Sequence, residues 1–375
     1  MKKIKYLWVF GGNTRNGLGF LNMIHDRDDI DSHHFFIPFV KAYQKNYPEL
    51  QKFENFTYMC DGGYIKRALF CYRLFMQAEH IILHGLYAKS DTLFLLYFVK
   101  KFRKSLAWVE WGADLYNWKY EETSLKNKIK NWIGRKVRES AKVIGLMFPA
   151  DEDFLRAEFN TNAICREVPF PSLKNTLEIA DRLKPSQSGT KQRVLIQVGH
   201  NAYQFGNHIQ LLSMLEQYKD QPIKVVLPLA YGAGGIYGRN GGQNYRKAVM
   251  RTSYQIFGEK SAPFTKEIPL ENFYQYLWHT DILVFGFKRA SAIGNLLLAL
   301  YMGKKVFLPS DSACYKYFVK QGLVIYDTLK IPEMSFEEFV EPVKEQNISW
   351  LKYRYDKKRT LRLWEEFLSI VDQTK

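Results

Sequence analysis

The chain has 375 residues, of which 46% are apolar and 16% aromatic, which exceeds one ordinary domain and is ample for two buried cores. Its four cysteines, Cys60, Cys71, Cys165 and Cys314, stand far apart, which excludes the short paired spacings of a zinc site or a disulfide framework and fits a reducing, cytosolic compartment. A formal charge of +16 calls for an anionic partner: a phosphate-bearing substrate, anionic lipid or nucleic acid.

From the amino terminus, Lys5–Phe10 reads as a first strand, since its apolar run stops at Phe10 with no small-residue cleavage pattern after it. Further strands are predicted over His34–Val40, His80–Leu83, Leu106–Trp111 and Val143–Met147. Helical periodicity marks Tyr64–Gln77, Ser90–Phe102, Ser124–Glu139 and Asp151–Phe159. The longest apolar runs, Leu93–Val99 and Leu296–Met302, are too short to cross a bilayer.

A polar stretch with Lys184-Pro185-Ser186 then breaks the pattern, so residues 173–192 are expected to link a first domain, 1–172, to a second, 193–348. The second domain restarts with strands over Arg193–Val198, Lys224–Leu229, Ile282–Phe285, Lys305–Leu308 and Leu323–Tyr326. Its helices fall near Asn207–Tyr218, Asn244–Tyr254, Leu270–Thr280 and Ala292–Met302, and a helical tail, 349–375, is expected to pack back on the first domain. This alternation predicts an α/β chain of two doubly wound, Rossmann-like domains facing across a cleft, with ligands beyond the carboxyl ends of the strands.

The segment 124–139 is a basic amphipathic helix. Lys126, Lys128, Lys130, Arg135, Lys136 and Arg138 surround a stripe of Leu125, Ile129, Trp132, Ile133 and Val137. It reads either as a surface helix packed on its own domain or as a membrane-surface element in which Lys128, Lys130, Trp132, Lys136 and Arg138 meet anionic lipid.

Residues just after strands are the candidates for chemistry. Lys288 to Asn295 joins a strand to a helix start, where free N–H groups, the cations Lys288 and Arg289, and close approach at Gly294 suit a diphosphate. An ordinary strand-to-helix connection with solvated cations explains the same residues. Neither a phosphate-binding Gly-x-x-x-x-Gly-Lys-Ser/Thr loop nor a Gly-x-Gly-x-x-Gly fingerprint follows a strand, which argues against kinases, ATPases and common dehydrogenases. The acid pairs Asp26/Asp28 and Asp151/Asp153 read as a polar turn and a helix start rather than as metal ligands.

Glu110 and Asp114 flank Trp111-Gly112-Ala113 at a strand end, where desolvation would raise a carboxyl pKa towards that of a general base. His84, at another strand end, is the rival, and a structural hydrogen bond is the alternative for all three.

The segments His84-Gly85, Trp111-Gly112-Ala113-Asp114-Leu115-Tyr116, Val198-Gly199, Asn207-His208-Ile209, Lys224-Val225-Val226-Leu227-Pro228 and Ile293-Gly294-Asn295-Leu296 occur in the order found in one family. From about Ile81 to Asp327 the chain resembles glycosyltransferase family 56, transferases of 4-acetamido-4,6-dideoxygalactose (N-acetylfucosamine) in bacterial envelope polysaccharide assembly. The resemblance implies a GT-B architecture and metal-independent inverting transfer from a dTDP-sugar to a polyprenyl-diphosphate-linked saccharide, with no cofactor beyond the donor. It also implies a cytoplasmic enzyme held peripherally at the inner face of the plasma membrane, with no nucleic-acid partner.

By the same resemblance the first domain receives the acceptor, with Asn13, Trp111 and Tyr116 in contact and Asp114, Glu110 or His84 as base. The second would hold the nucleotide through Gly199, Asn201, Tyr231, Lys288, Arg289, Ser291, Gly294 and Asn295. Two alternatives stand beside this reading: the same fold acting on a protein or teichoic-acid-like acceptor, and a non-catalytic basic module that binds nucleic acid or a partner transferase.

Overall fold

Runs such as Leu7-Trp8-Val9-Phe10 and Ile81-Ile82-Leu83 are buried throughout, as required of strands covered by helices on both faces of a parallel sheet. In the computed structural model, which describes residues 3–10, 14–25, 27, 29–38, 55–86, 90–119, 124–169, 173–186, 192–232, 241–343, 347–354 and 356–374, these runs form the centres of two such sheets.

The first sheet comprises β1 (Ile4–Phe10), β2 (His33–Ile37), β3 (Phe56–Tyr58), β4 (Ala78–His84), β5 (Leu106–Glu110), β6 (Val143–Leu146) and β7 (Ile164–Glu167). Its order is β3-β2-β1-β4-β5-β6-β7, with every pairing parallel. The second comprises β8 (Val194–Val198), β9 (Ile223–Pro228), β10 (Ser261–Phe264), β11 (Ile282–Val284), β12 (Lys305–Leu308) and β13 (Tyr326–Asp327). It is also all parallel, in the order β10-β9-β8-β11-β12-β13.

In each sheet the winding reverses once, between β1 and β4 and between β8 and β11, and the crevice beyond the carboxyl ends at such a reversal is where doubly wound sheets bind ligands. The chain divides into two compact units, Met1–Ser172 with Asp356–Lys375 and Leu173–Tyr355.

Two boundaries differ from those expected. The polar segment read as a linker begins with a helix, Leu173–Arg182, that belongs to the second unit: Ala180 is buried, its carbonyl accepts from Trp278 Nε1 at 2.9 Å, and Asp181 accepts from Tyr301 Oη at 2.7 Å. At the other end, the helix Asn347–Arg354 also belongs to the second unit, and the chain returns to the first only at Asp356.

That return is a structural part of the first unit. The helix Lys357–Gln373 buries Trp364, Phe367, Leu368 and Val371 in the same core as Trp8, Phe20 and Val143, on one face of the sheet. Trp364 packs on Phe20 at 4.7 Å between ring centroids and donates through Nε1 to the Pro169 carbonyl at 3.1 Å. A Cβ on Gly145 in β6 would lie 2.8 Å from Val168 and 3.2 Å from Phe367, so glycine is what lets the helix approach the strand. Trp364→Ala is expected to cost about 3–5 kcal/mol through cavity formation and the lost indole bond, measured by urea unfolding; a loss of stability below 1 kcal/mol would show that the tail is dispensable.

Candidate active site

At the carboxyl end of the first sheet, the chain leaves β5 through a sharp reversal. Gly112 takes φ of +71°, a conformation that favours glycine, and Trp111 O accepts from Ala113 N at 2.8 Å. The reversal aims Asp114 back under the strand ends. Its Oδ2 accepts from Leu86 N at 2.6 Å and Trp108 Nε1 at 2.8 Å, and its Oδ1 accepts from Trp111 N at 2.7 Å.

Arg138 lies alongside, donating to the Asp114 carbonyl at 3.0 Å and the Gly134 carbonyl at 3.0 Å. Burial raises the Asp114 pKa, and the three donors and the Arg138 charge offset that rise only in part. With three donors and almost no exposure, Asp114 acts as an organiser of the loops after β4 and β5.

Glu110 is also fully buried but carries fewer bonds: Oε2 accepts from Gly112 N at 2.6 Å and Oε1 from Met147 N at 3.0 Å, linking the ends of β5 and β6. Its pKa is driven well above the carboxylate range, first by desolvation and then by the nearby carboxylates of Asp151 and Asp114. Asp151 is buried at the start of the helix Asp151–Glu158, where Tyr116 Oη donates to its Oδ1 at 2.6 Å. Tyr116, expected to contact the acceptor, therefore directs its hydroxyl at this acidic pair.

His84 accepts at Nδ1 from Trp111 Nε1 at 3.1 Å, which leaves the proton on Nε2. Nε2 has no hydrogen-bond partner among the described residues. The ring lies parallel to Trp364 at 6.1 Å and against Phe20 at 4.5 Å, and burial lowers its pKa to about 3. This tautomer makes His84 a neutral donor rather than a base. Trp111 itself is partly exposed over these groups, and Asn13 lies outside the described residues.

In the second unit, the loop after β8 turns at Gly199, with φ of +68°, where any Cβ would overlap the His208 ring. Asn201 is buried, its Oδ1 accepting from Tyr203 N at 2.9 Å and its Nδ2 donating to His200 Nε2 at 2.6 Å. Ser291 Oγ lies 3.2 Å from the same His200 nitrogen and joins this loop to the segment after β11.

There Arg289 is stacked over Phe205, its Cζ 3.7 Å from the ring centroid, and Phe205 stacks on Tyr203 at 5.2 Å. Tyr231 is exposed, and its carbonyl accepts from Ala202 N at 2.7 Å. Asn207 Nδ2 donates to Gly286 O at 2.7 Å, drawing the 204–207 turn onto the end of β11.

The helix Ile293–Tyr301 begins after Ala292, whose φ is +53°; Gly294 is exposed, and a Cβ there would meet no atom within 4 Å. Its first turn, with the partly exposed Asn295, is thus open to a ligand. Lys288 is different: it points to solvent in an ion pair with Asp311 at 2.5 Å.

The structure thus gathers Gly199 and Asn201, Tyr231, and Arg289 and Ser291 from three interlocked loops, after β8, β9 and β11. It adds Tyr203 and Phe205, which sequence reading missed because aromatics in a turn look like core residues.

The basic helix, Leu125–Ser140, needs a correction. Arg138 is buried beneath the Asp114 loop and cannot meet a membrane surface, and Ile133 and Val137 are core residues, whereas Lys128, Trp132 and Lys136 are exposed and Lys130 partly so. Only the Leu125, Ile129 and Trp132 portion of the stripe faces outward.

Two parallel-sheet Rossmann-like units make up the GT-B fold, which the chain shares with several solved structures. HepE of Anabaena, solved with UDP and glucose, matches at TM-score 0.66 and 11% identity over 98% of this chain and 99% of that one. The UDP-forming trehalose-phosphate synthase of Burkholderia vietnamiensis matches at TM-score 0.61 and 9% identity over 98% and 100%. The Neisseria meningitidis UDP-GlcNAc 2-epimerase bound to UDP-GlcNAc matches at 0.51 and 14% over 97% and 99%. At such identities the likeness is one of fold.

Residues 19–366 match the family described as 4-alpha-L-fucosyltransferase, glycosyl transferase group 56, and the chain belongs to that family. It is a glycosyltransferase.

Asp114→Asn leaves one acceptor oxygen facing donors that now occupy three bonds. It is expected to destabilise the first unit by about 1–3 kcal/mol for each buried donor left unpaired, read as a lowered thermal midpoint, with nucleotide affinity of the folded protein unchanged. An unchanged midpoint would remove Asp114 from its organising role.

Proposed function

We propose that the enzyme transfers 4-acetamido-4,6-dideoxygalactose from its dTDP conjugate to a polyprenyl-diphosphate-linked saccharide, without a metal ion and with inversion, from the cytoplasmic face of the plasma membrane. The observation that carries this reading is membership of group 56 across 19–366. It is supported by the reversal of winding between β8 and β11, the kind of place where doubly wound sheets bind nucleotides, and by a buried carboxyl of raised pKa in the first unit.

In this mechanism the second unit holds the donor. The open first turn of Ile293–Tyr301 offers its N–H groups and the positive end of its dipole to the diphosphate, and Arg289, fixed on Phe205, adds a cation. The partly exposed ring of Tyr203 and the exposed ring of Tyr231, in edge contact at 5.8 Å, provide a surface for the base.

The first unit receives the acceptor at Trp111. The acceptor hydroxyl oxygen attacks the anomeric carbon, Glu110 takes its proton, and the bond from that carbon to the phosphate oxygen breaks to release dTDP. Glu110 is favoured over Asp114 because it spends two bonds rather than three and its pKa is raised further, which makes its anion the stronger base. His84 orients Trp111 by accepting from its indole at Nδ1.

A thermal-shift panel of dTDP, UDP, GDP, ADP and CMP, each with magnesium and with a chelator, tests the donor half. The expected result is stabilisation by dTDP above the others, independent of magnesium, and reduced at least about tenfold in affinity by Arg289→Ala, the scale of a lost charged contact to phosphate. Preference for another nucleotide would overturn the dTDP donor, and an unchanged Arg289→Ala affinity would remove Arg289 from the diphosphate site.

A further inference from the structure

Three helices cover one face of the first sheet: Tyr64–Met76, Ser90–Phe98 and Leu125–Ser140. Each buries part of its surface in a single apolar core, through Cys71, Leu74 and Phe75, through Leu93 and Leu96, and through Ile133 and Val137. Ser90–Phe98 packs between the other two. Because all three are seated on the same core, their remaining sides face away from the sheet in a common direction.

Those sides should be polar on a helix that meets only water. They are not. On the first helix Ile65, Leu69, Tyr72 and Met76, spaced i, i+4, i+7 and i+11, are 74%, 52%, 40% and 40% exposed. On the third, Leu125, Ile129 and Trp132 repeat the spacing at 74%, 43% and 49%. Phe98, at the end of the middle helix, is 66% exposed.

Ring contacts join the exposed side chains of the second and third helices: Trp132 meets Tyr97 edge-on at 5.0 Å and Tyr97 meets Phe98 at 4.9 Å, while Tyr72 of the first helix rests on the buried Phe102 at 5.9 Å. The first and third helices thus each carry a second apolar stripe that their own domain leaves uncovered, with Phe98 exposed at the end of the helix between them, and exposed apolar patches of this kind mark interaction surfaces.

The charge around the stripes selects the occupant. Residues 64–76, 90–104 and 125–140 contain thirteen lysines and arginines and only two acidic residues, Asp91 and Glu139. Glu139 is already paired with Lys136 at 2.7 Å. A second copy of the chain using the same face would bring like charges together at considerable cost. A surface with negative headgroups above an apolar interior matches both features: the apolar stripes enter the acyl boundary while the lysines meet phosphate.

We infer that helices 64–76, 90–98 and 125–140 form one docking plate for an anionic bilayer, with Ile65, Leu69, Phe98, Leu125, Ile129 and Trp132 as its inserting residues. The plate extends the surface well beyond the basic helix; it rests on the membrane-face reading proposed above but not on the sugar or acceptor named there. Helix 125–140 also connects it to the active site, since the helix that presents Trp132 outward sends Arg138 inward to the carbonyl of Asp114.

The test is sedimentation of the full chain with vesicles of phosphatidylcholine alone or mixed with phosphatidylglycerol. Ile65→Ser with Leu69→Ser examines one helix, Leu125→Ser with Ile129→Ser a second, and Lys126→Gln with Lys128→Gln the charge. All six positions are on the outer face, so the thermal midpoint and nucleotide-induced shift should be retained.

The expected result is binding that requires phosphatidylglycerol, weakens with salt, and falls by roughly tenfold or more in each double variant. Failure of the wild type to bind, or undiminished binding by the Ile65/Leu69 pair, would overturn the plate. So would a concentration-dependent dimer dispersed by the same substitutions, or duplex DNA bound by this surface in place of vesicles. A nucleotide shift retained in a variant that has lost vesicle binding separates failure of the plate from failure of the transferase reading.

Discussion

The first unit depends on one buried carboxylate. Asp114 accepts from the backbone of Leu86 after β4, from the backbone of Trp111 after β5 and from the Trp108 indole within β5. Arg138 compensates its charge, so the burial of an ion is tolerated only because its oxygens are bonded and a cation is close. The same arginine fastens helix 125–140 beneath the loop through the Asp114 carbonyl. Strand ends, the tryptophan over the site and the helix behind it are thereby held by one group.

That arrangement explains why adjacent carboxylates can take different roles. Asp114 has exchanged reactivity for bonds. Glu110, four residues earlier, is enclosed with fewer donors and two acidic neighbours, which favours the protonated form and makes its anion a stronger base. The second unit follows another logic: its ordered loops rest on neutral rings, with His208 lowered to about 4 by burial and His200 also lowered, so that the positive charge offered to a ligand comes from Arg289 and the helix start.

Central strands were legible in the sequence because burial on both faces demands unbroken apolar runs, as in β1, β4 and β5. The strands that escaped notice, β3, β7 and β10, all lie at or near an open side where that demand relaxes. β7 alternates exposed and buried residues, and β10 contains Pro263, a residue tolerated at an edge. Helix Leu173–Arg182 looked like a linker because, among its described side chains, only Ala180 is buried. The loops bearing Glu110, Asp114, Gly199 and Arg289 were visible from their places after strands. The different bonding of Glu110 and Asp114 was not, because it depends on donors from Leu86, Trp108 and Met147 that only folding assembles.

In the proposed transfer the buried Glu110 carboxyl, with its raised pKa, takes the acceptor's proton. The pH dependence of kcat/KM, measured on the wild type and on Glu110→Gln with a dTDP-sugar donor, tests it most directly. A base of raised pKa is active above that pKa and lost as pH falls through it, so the account predicts an acidic limb well above the ordinary carboxylate value of about 4.3, and a folded Glu110→Gln protein with turnover reduced by at least about a hundredfold. An acidic limb at the ordinary value, or near-normal turnover by Glu110→Gln, would contradict it.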